Sequence, residues 1–172
     1  MLRLFKLFLP LSIKKLLKKK FLIFRISKDR TSKLLRNISI DEGCRIGPWV
    51  IIDGEDGYIK IGKNCSVNSF SWLGAGNSSI EIGDNVRIGT GTTITCSNHI
   101  FTDKSELIKN QGLKKNVNIK IEENVWIGAN VVILPDVVIE SGSVIGAGSV
   151  ITKKVSRNSV VVGNPGKLLR KR

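Results

Sequence analysis

An aliphatic residue recurs every six positions along this chain, and that period constrains the fold more than any other feature. The members of the repeat are Ile40, Ile46, Ile52, Ile61, Val67, Leu73, Ile82, Ile88, Ile94, Ile100, Ile121, Ile127, Ile133, Ile139, Ile145 and Ile151. A period of six matches neither the 3.6 residues per turn of an α-helix nor the plain alternation of a β-strand. It is typical of a solenoid whose short strands turn a corner every six residues, so that three hexapeptides build one 18-residue coil. The pattern therefore predicts an all-β solenoid of about five coils.

Charge is unevenly distributed and divides the chain into an arm and a coil domain. Residues 1–37 carry twelve Lys or Arg against one acid, residues 38–152 carry nine basic and thirteen acidic residues, and residues 153–172 add seven basic residues. At helical spacing, the Leu and Phe residues of segment 1–37 fall on one side and the Lys residues on the other. This pattern predicts a short basic amphipathic helical arm before a β-helix domain at 38–172. Two roles are open for the arm: contact with an anionic membrane, or a cap on the open end of the solenoid. No nucleic-acid-binding motif accompanies the charge, so we expect no nucleic-acid partner.

Cysteine usage and the N-terminal sequence indicate a cytoplasmic location. The three cysteines Cys44, Cys65 and Cys96 show no metal-ligand spacing, and the first two occupy a column of small residues inside the coils. Buried thiols in odd number are typical of a reducing compartment. Lysines interrupt the N-terminal apolar runs, so we expect neither a cleaved signal peptide nor a segment that spans a bilayer. If the arm binds lipid, the protein is peripheral on the inner face of the cytoplasmic membrane.

The repeat is interrupted in two places, which are candidates for function. One corner is enlarged around residues 72–79, and the repeat stops at a polar loop that spans residues 101–116. Loops ejected from a regular scaffold are often functional. His99, the only histidine, stands immediately before the loop, where a corner rather than the aliphatic interior is expected. An imidazole there suits a general base near neutral pH, although residue type alone leaves a surface or packing role open.

Several motifs together resemble the hexapeptide-repeat acyltransferases. They are the repeats, His99 beside a loop, and the sequences Val125-Trp126-Ile127-Gly128-Ala129, Ile145-Gly146-Ala147-Gly148-Ser149 and Gly163-Asn164-Pro165. Within that family the chain is similar, over residues 40–172, to bacterial polysaccharide O-acetyltransferases and to maltose and galactoside acetyltransferases. The resemblance implies a left-handed parallel β-helix, assembled as a homotrimer with active sites between subunits, and acetyl-CoA as the co-substrate. It implies no metal.

The resemblance also implies the parts of an active site. A histidine at the position of His99 removes the proton from the acceptor hydroxyl, which attacks the thioester directly. Trp126, which follows 27 residues later, lines the active site, and so does Asn98, where many such enzymes carry Asp. An acidic partner for the imidazole is not assigned, and its candidates are Asp84, Asp103 and Glu106.

A donor edge is expected in the C-terminal coils. Gly128-Ala129 and Gly146-Ala147 lie 18 residues apart, so their backbone N–H groups are expected one above the other, as a ladder for an extended pantetheine arm. By resemblance, the residues that contact acetyl-CoA are Ala129, Ala147, Thr152, Lys153 and Arg170. The last two would meet its phosphates through charge-assisted hydrogen bonds.

These observations predict an acetyl-CoA-dependent O-acetyltransferase that acts on a sugar hydroxyl of a bacterial surface polysaccharide or its precursor. Two alternatives stay open: an N-acetyltransferase of a nucleotide-linked amino sugar, whose coils look alike, and a non-catalytic solenoid that serves as a scaffold or binding module. A γ-class carbonic anhydrase needs three histidines to hold zinc, and this chain has one. The carbohydrate acceptor is expected to contact the 101–116 loop and the 70–79 corner.

Overall fold

The computed structural model describes residues 37–172, which form an all-β solenoid of about five coils. Three sheets form its faces, and every strand pairing is parallel except the last. Sheet A contains β1 (Ile38–Ile40), β4 (Tyr58–Ile61), β7 (Ser79–Ile82), β10 (Ile119–Ile121) and β13 (Val138–Ile139). Sheet B contains β2 (Arg45–Ile46), β5 (Ser66–Val67), β8 (Arg87–Ile88), β11 (Trp126–Ile127), β14 (Val144–Ile145), β16 (Ser159–Val162) and β17 (Lys167–Lys171). Sheet C contains β3 (Ile51–Asp53), β6 (Trp72–Gly74), β9 (Thr93–Thr95), β12 (Val132–Ile133) and β15 (Val150–Ile151).

The predicted fold class is confirmed for the described residues. The helical arm predicted at 1–37 lies outside them, except for Asn37. One short helix, α1 (Ile108–Gln111), lies in the loop. Within residues 37–172, no helix has the length and apolar character needed to cross a membrane.

The repeat residues form the core, as the six-residue period predicts. Ile127, Ile133 and Ile139 are fully buried, and each is the second residue of a two-residue strand whose first residue points outward. Since a strand alternates its side chains, each strand needs only one aliphatic residue to fill the narrow interior. Ile100 is the exception: it is only half-buried and lies outside the strands, because the chain leaves the solenoid there.

The interior column of small residues contains thiols that bond to the next coil. The Cys44 and Cys65 thiols donate to the carbonyls of Gly62 and Gly83, at 3.0 and 3.1 Å. Burial raises the pKa of the Cys65 thiol to about 11, so this thiol stays protonated at neutral pH. These cysteines are therefore structural.

The first two coils are 21 residues long, which corrects the predicted length of 18. Ile38 pairs with Ile59, and Ile59 pairs with Ile80. The predicted spacing holds in the coil after the loop, where Lys120 pairs with Val138, and the last coil is shorter, since Val144 pairs with Val160. The three extra residues enlarge the corner after sheet C, for example where Gly57 N–H donates to the carbonyl of Gly54. An insertion at a corner leaves the alternation within each strand intact, so the core pattern survives it.

The corners between sheets A and B and those between sheets B and C contain a residue with positive φ, and two aromatic residues occupy such positions. At the corner between sheets A and B, Gly or Asn takes this position in successive coils, at Gly43, Asn64, Asn85, Asn124, Gly142 and Asn158. At the corner between sheets B and C, the position holds Trp49 and Phe70, then Gly91, Asn130 and Gly148. Left-handed backbone costs about 1–2 kcal/mol for a residue with a Cβ. The backbone of this corner therefore favours Gly or Asn and does not explain the presence of Trp49 and Phe70.

Sheet B continues beyond the point where the sequence repeat fades. β16 adds to β14 in parallel, and β17 returns antiparallel to β16. Leu168 pairs with Val161, the last core residue, and so helps to close the C-terminal end of the solenoid.

Candidate active site

His99 lies at the neck of the loop, after sheet C in the third coil. The Ile100 N–H donates to the Gly112 carbonyl at 3.0 Å, and the Lys114 N–H donates to the Asn98 carbonyl at 2.8 Å. A β-bridge joins His99 itself to Leu113. Asn98 is half-buried and His99 exposed, and the imidazole has no hydrogen-bond partner within residues 37–172. The neck thus holds the backbone on both sides of His99 while its side chain stays open to an acceptor.

The loop folds on its own polar side chains. The Asp103 carboxylate accepts hydrogen bonds from the N–H and the hydroxyl of Ser105, at 2.8 and 2.6 Å. Gln111 donates to the carbonyls of Asp103 and Glu106 at 2.8 and 3.0 Å. Phe101, Leu107 and Ile108 are more than half exposed, whereas Leu113 at the neck is half-buried. Away from its neck, the loop therefore leaves its large apolar side chains uncovered by the described coils.

None of the three carboxylates suggested as a partner for His99 bonds to it within the described chain. Asp84 accepts the Lys63 N–H at 2.7 Å, at the corner between sheets A and B. The two hydrogen bonds from Ser105 lower the pKa of Asp103. Glu106 accepts the N–H of Leu107 at 3.0 Å, inside the loop.

Trp126 lies on a different face from His99. It is the outward residue of β11 on sheet B and is 58% exposed. Arg87 is its partner in the preceding coil. Trp126, Arg87, Arg170 and Arg172 line an open groove of about 520 Å³ on this face. One chain therefore places Trp126 among arginines and does not bring it to His99.

Ala129 and Ala147 lie on consecutive coils at the corner between sheets B and C. The Gly148 N–H donates to the Ala129 carbonyl at 2.9 Å, and a Cβ on Gly128 would lie only 2.6 Å from the Ala147 nitrogen. Close stacking of these coils thus needs glycine at 128. Within residues 37–172, the N–H groups of Ala129 and Ala147 make no hydrogen bond. Two backbone N–H groups without a hydrogen-bond partner in the described residues therefore lie one above the other at this corner. The arrangement fits the amide carbonyls of an extended pantetheine chain.

The other expected donor residues are spread over the C-terminal coils. Thr152 and Lys153 are exposed just beyond β15, across sheet C from Ala147. Arg170 lies opposite Val160 in β17, in the groove beside Trp126. The positive charges thus flank the alanine edge on two faces, and one chain does not gather them into a single pocket.

Sequence reasoning anticipated Arg170 but missed the other two arginines beside Trp126, Arg87 and Arg172. Arg87 precedes Trp126 by 39 residues, because the loop is inserted between two paired strands. Arg172 reaches the groove through the terminal strand and donates to the Gly142 carbonyl at 3.1 Å. Neither position follows the six-residue spacing, so only strand register reveals it. Among residues 37–172, no group of three or more His, Cys, Asp or Glu side chains is arranged to hold a metal ion.

Two family models match the sequence. Residues 118–153 match the bacterial transferase hexapeptide (six repeats), and residues 58–96 match the hexapeptide repeat of succinyl-transferase. No curated protein matches the chain significantly in sequence.

Solved structures extend the comparison over most of the chain. A maltose O-acetyltransferase from Clostridium difficile 630 is 30% identical, with a TM-score of 0.71, and the match covers 90% of this chain and 82% of that one. A hexapeptide-repeat acetyltransferase from Vibrio cholerae O1 biovar eltor, solved with acetyl-CoA, is 28% identical, with a TM-score of 0.71 and coverage of 88% and 84%. A variant of an N-acyltransferase from Bacillus cereus, bound to dTDP-4-amino-4,6-dideoxyglucose and coenzyme A, is 26% identical, with a TM-score of 0.70 and coverage of 80% and 74%.

Repeat, fold and full-length similarity together define the class of protein: an acyltransferase built on a hexapeptide solenoid. The chain belongs to the hexapeptide-repeat acetyltransferase family, which confirms the resemblance seen in its motifs.

Proposed function

We propose that the chain is an acetyl-CoA-dependent O-acetyltransferase acting on a sugar hydroxyl of a bacterial surface polysaccharide or its precursor. The observation that carries the proposal is the exposed imidazole of His99 at the clamped neck of the loop. The acetyl-CoA complex of the Vibrio relative supports the donor, and the maltose enzyme supports a sugar acceptor.

Each group in the chain has a defined task in this proposal. Acetyl-CoA supplies an acetyl group activated as a thioester. The His99 imidazole accepts the proton of the sugar hydroxyl as that oxygen attacks the acetyl carbon. The C–S bond of the thioester then breaks, and the imidazolium returns the proton to the departing coenzyme A thiolate. The N–H groups of Ala129 and Ala147 hold the donor in an extended conformation, and Lys153 and Arg170 bind its phosphates. Trp126 lines the active site, and Asn98 borders His99.

We infer that the working unit is a homotrimer. His99 and Trp126 lie on different faces of one chain, and the loop exposes Phe101, Leu107 and Ile108. A neighbouring copy would cover these apolar side chains and bring its own Trp126 to His99, which would complete the site.

The expected solution mass is three times the 18.9 kDa of one chain. Analytical ultracentrifugation at micromolar concentration measures it directly. A monomer under those conditions would overturn the assembly, and with it the shared site.

Transfer itself is tested by release of coenzyme A thiol in the presence of free sugars, oligosaccharides and nucleotide-linked amino sugars. We expect product esters that mild base removes. Base-stable amides on amino sugars would instead establish the N-acetyltransferase. Failure to bind acetyl-CoA would refute both transferase functions and favour the non-catalytic scaffold.

We propose a cytoplasmic location, with the arm at 1–37 on the inner face of an anionic membrane. The support is its sequence alone: twelve basic residues and one acid, interleaved with Leu and Phe. Near such a surface each Lys or Arg contributes about 1 kcal/mol, and the arms of one trimer would act together.

Sedimentation with phosphatidylserine liposomes tests the arm. Replacing Lys14, Lys15, Lys18 and Lys19 by Gln should abolish binding, whereas the same change at Lys104, Lys109, Lys114 and Lys115 should not. Binding of the unchanged protein should weaken as salt shortens the Debye length from about 10 Å at 0.1 M to about 3 Å at 1 M. If the unchanged protein ignores these liposomes at low salt, the arm has no membrane role.

A further inference from the structure

Two aromatic residues at one corner and two side chains of the adjoining strands form a patch on the first two coils. We call it the aromatic platform; it comprises Trp49, Ile51, Phe70 and Trp72. Trp49 is 60% and Phe70 is 67% exposed, and Ile51 pairs with Trp72 on sheet C. The Trp72 ring covers Gly74, where a Cβ would lie 2.5 Å from the ring. The ring thus lies along the sheet and offers a flat surface.

The backbone at Trp49 and Phe70 indicates that this patch has a function. Both residues have positive φ, at 62° and 63°, in a position that Gly91, Asn130 and Gly148 fill in later coils. Within residues 37–172, every other positive-φ position holds Gly, Asn, Asp or Glu. Two large side chains in successive coils are thus held in an unfavourable backbone conformation and stay more than half exposed, which points to a role at the surface.

The platform is continuous with the candidate active site in two directions. Along the corner between sheets B and C, the aromatic residues of the first two coils give way to Gly91 and then to Ala129 and Ala147. Across sheet C, the strand after Phe70 and Trp72 is β9, which leads to His99. From strand geometry, Trp72 and His99 lie within about 20 Å of each other. The aromatic part of this corner therefore lies next to the place where a sugar acceptor would meet a donor bound at Ala129 and Ala147.

The size and surroundings of the platform favour a saccharide over a protein partner. Its four side chains expose on the order of 500 Å², below the ~800 Å² per partner of a stable protein interface. Its polar neighbours are small: Asn68, Ser69 and Thr93, with one carboxylate at Asp53. Flat rings beside such groups suit sugar rings, whose C–H faces stack on aromatics while their hydroxyls find hydrogen bonds. Among residues 37–172, none of these neighbours is a Lys or Arg that could select a nucleotide diphosphate.

We propose that the aromatic platform binds successive sugar rings of an oligosaccharide or polysaccharide acceptor and guides the chain to His99. This inference rests on the proposed O-acetyltransferase function and narrows its acceptor to a glycan of several residues.

The test combines Trp49→Asn with Phe70→Asn in the full chain. Because Asn130 fills the same position, the double variant should fold with an unchanged or higher Tm. Its kcat/KM for neutral tetrasaccharides should fall about tenfold or more, while its KM for acetyl-CoA and its kcat/KM for monosaccharides stay within twofold. Tyr58→Asn is the matched control, since Tyr58 is an exposed aromatic on sheet A, and it should change neither value.

A binding measurement tests the aromatic platform independently of the proposed O-acetyltransferase activity. Tryptophan fluorescence is titrated with neutral gluco-, galacto- and N-acetylglucosamine oligosaccharides of one to six residues, without donor. We expect affinity to rise with length for at least one series and to be lost in the double variant. Length-dependent binding without acetyl transfer would uphold the platform and refute the proposed function. Equal losses for mono- and tetrasaccharides, no binding of any series, or dissociation of the oligomer in the double variant would each overturn the platform.

Discussion

His99→Ala is expected to lower turnover at least about a hundredfold, the usual scale for removing a general base. The loss follows from the position of the imidazole, which is exposed at the neck of the loop and engaged in no hydrogen bond within residues 37–172. The neck is closed by backbone hydrogen bonds between residues 98–100 and 112–114, so removing the side chain should leave it closed. Steady-state kinetics and acetyl-CoA binding by calorimetry measure the two effects separately.

The matched control is Ser97→Ala, two residues earlier on the same exposed stretch. It should keep turnover within about threefold and bind acetyl-CoA as the unchanged protein does. If His99→Ala also stays within that range, His99 is not the base. If His99→Ala weakens acetyl-CoA binding or lowers the Tm, the lower turnover does not report on proton transfer.

Lys153→Ala and Arg170→Ala are each expected to raise the KM for acetyl-CoA about tenfold or more. A hydrogen bond between a charged donor and a phosphate typically stabilises a complex by about 1.5–3 kcal/mol. Arg170 faces the sheet B groove, and Lys153 is exposed beyond sheet C. The guanidinium of Arg170 and the ammonium group of Lys153 are therefore both accessible to a ligand. Acetyl-pantetheine, which lacks the adenosine phosphates, should show KM changes within about twofold.

Lys154→Ala and Arg157→Ala are the matched controls, since these cations are engaged elsewhere. Lys154 lies 2.6 Å from Glu140, which lowers the pKa of that carboxyl, and Arg157 lies 3.9 Å from Glu122. Both variants should leave the KM for acetyl-CoA nearly unchanged. Equal effects of Lys153→Ala or Arg170→Ala on the two donors would show that the residue does not meet the phosphates.

The core of the solenoid was predictable because its signal is local. In β13, Val138 points outward and Ile139 inward, and the same alternation returns in every strand from β10 to β16. The position of His99 was predictable for a related reason, since a break in a regular repeat marks the place where the chain leaves the coil. The stacking of Ala129 and Ala147 on consecutive coils followed from the 18-residue spacing, which the register of β11 with β14 reproduces.

Relations between residues that are separated by the inserted loop or by an enlarged corner were not predictable in this way. Pairing of Arg87 with Trp126 crosses the inserted loop, and the first two coils gain three residues at a corner that the strand pattern does not register. Trp49 and Phe70 looked like ordinary aromatics in sequence, because their significance lies in their backbone angles and in being stacked on successive coils.

Spacing within a few neighbouring hexapeptides was enough to predict the class of fold and the buried isoleucine column, and to single out His99 as the candidate base. Which side chains share a face became clear from the three-dimensional arrangement of the strands. This arrangement placed Trp126 with Arg170 on sheet B, His99 beyond sheet C, and the aromatic residues on the edge that continues to the alanines. The physical reason is that a solenoid brings together residues one coil apart. The length of each coil, and so which side chains meet, is set by corners and insertions.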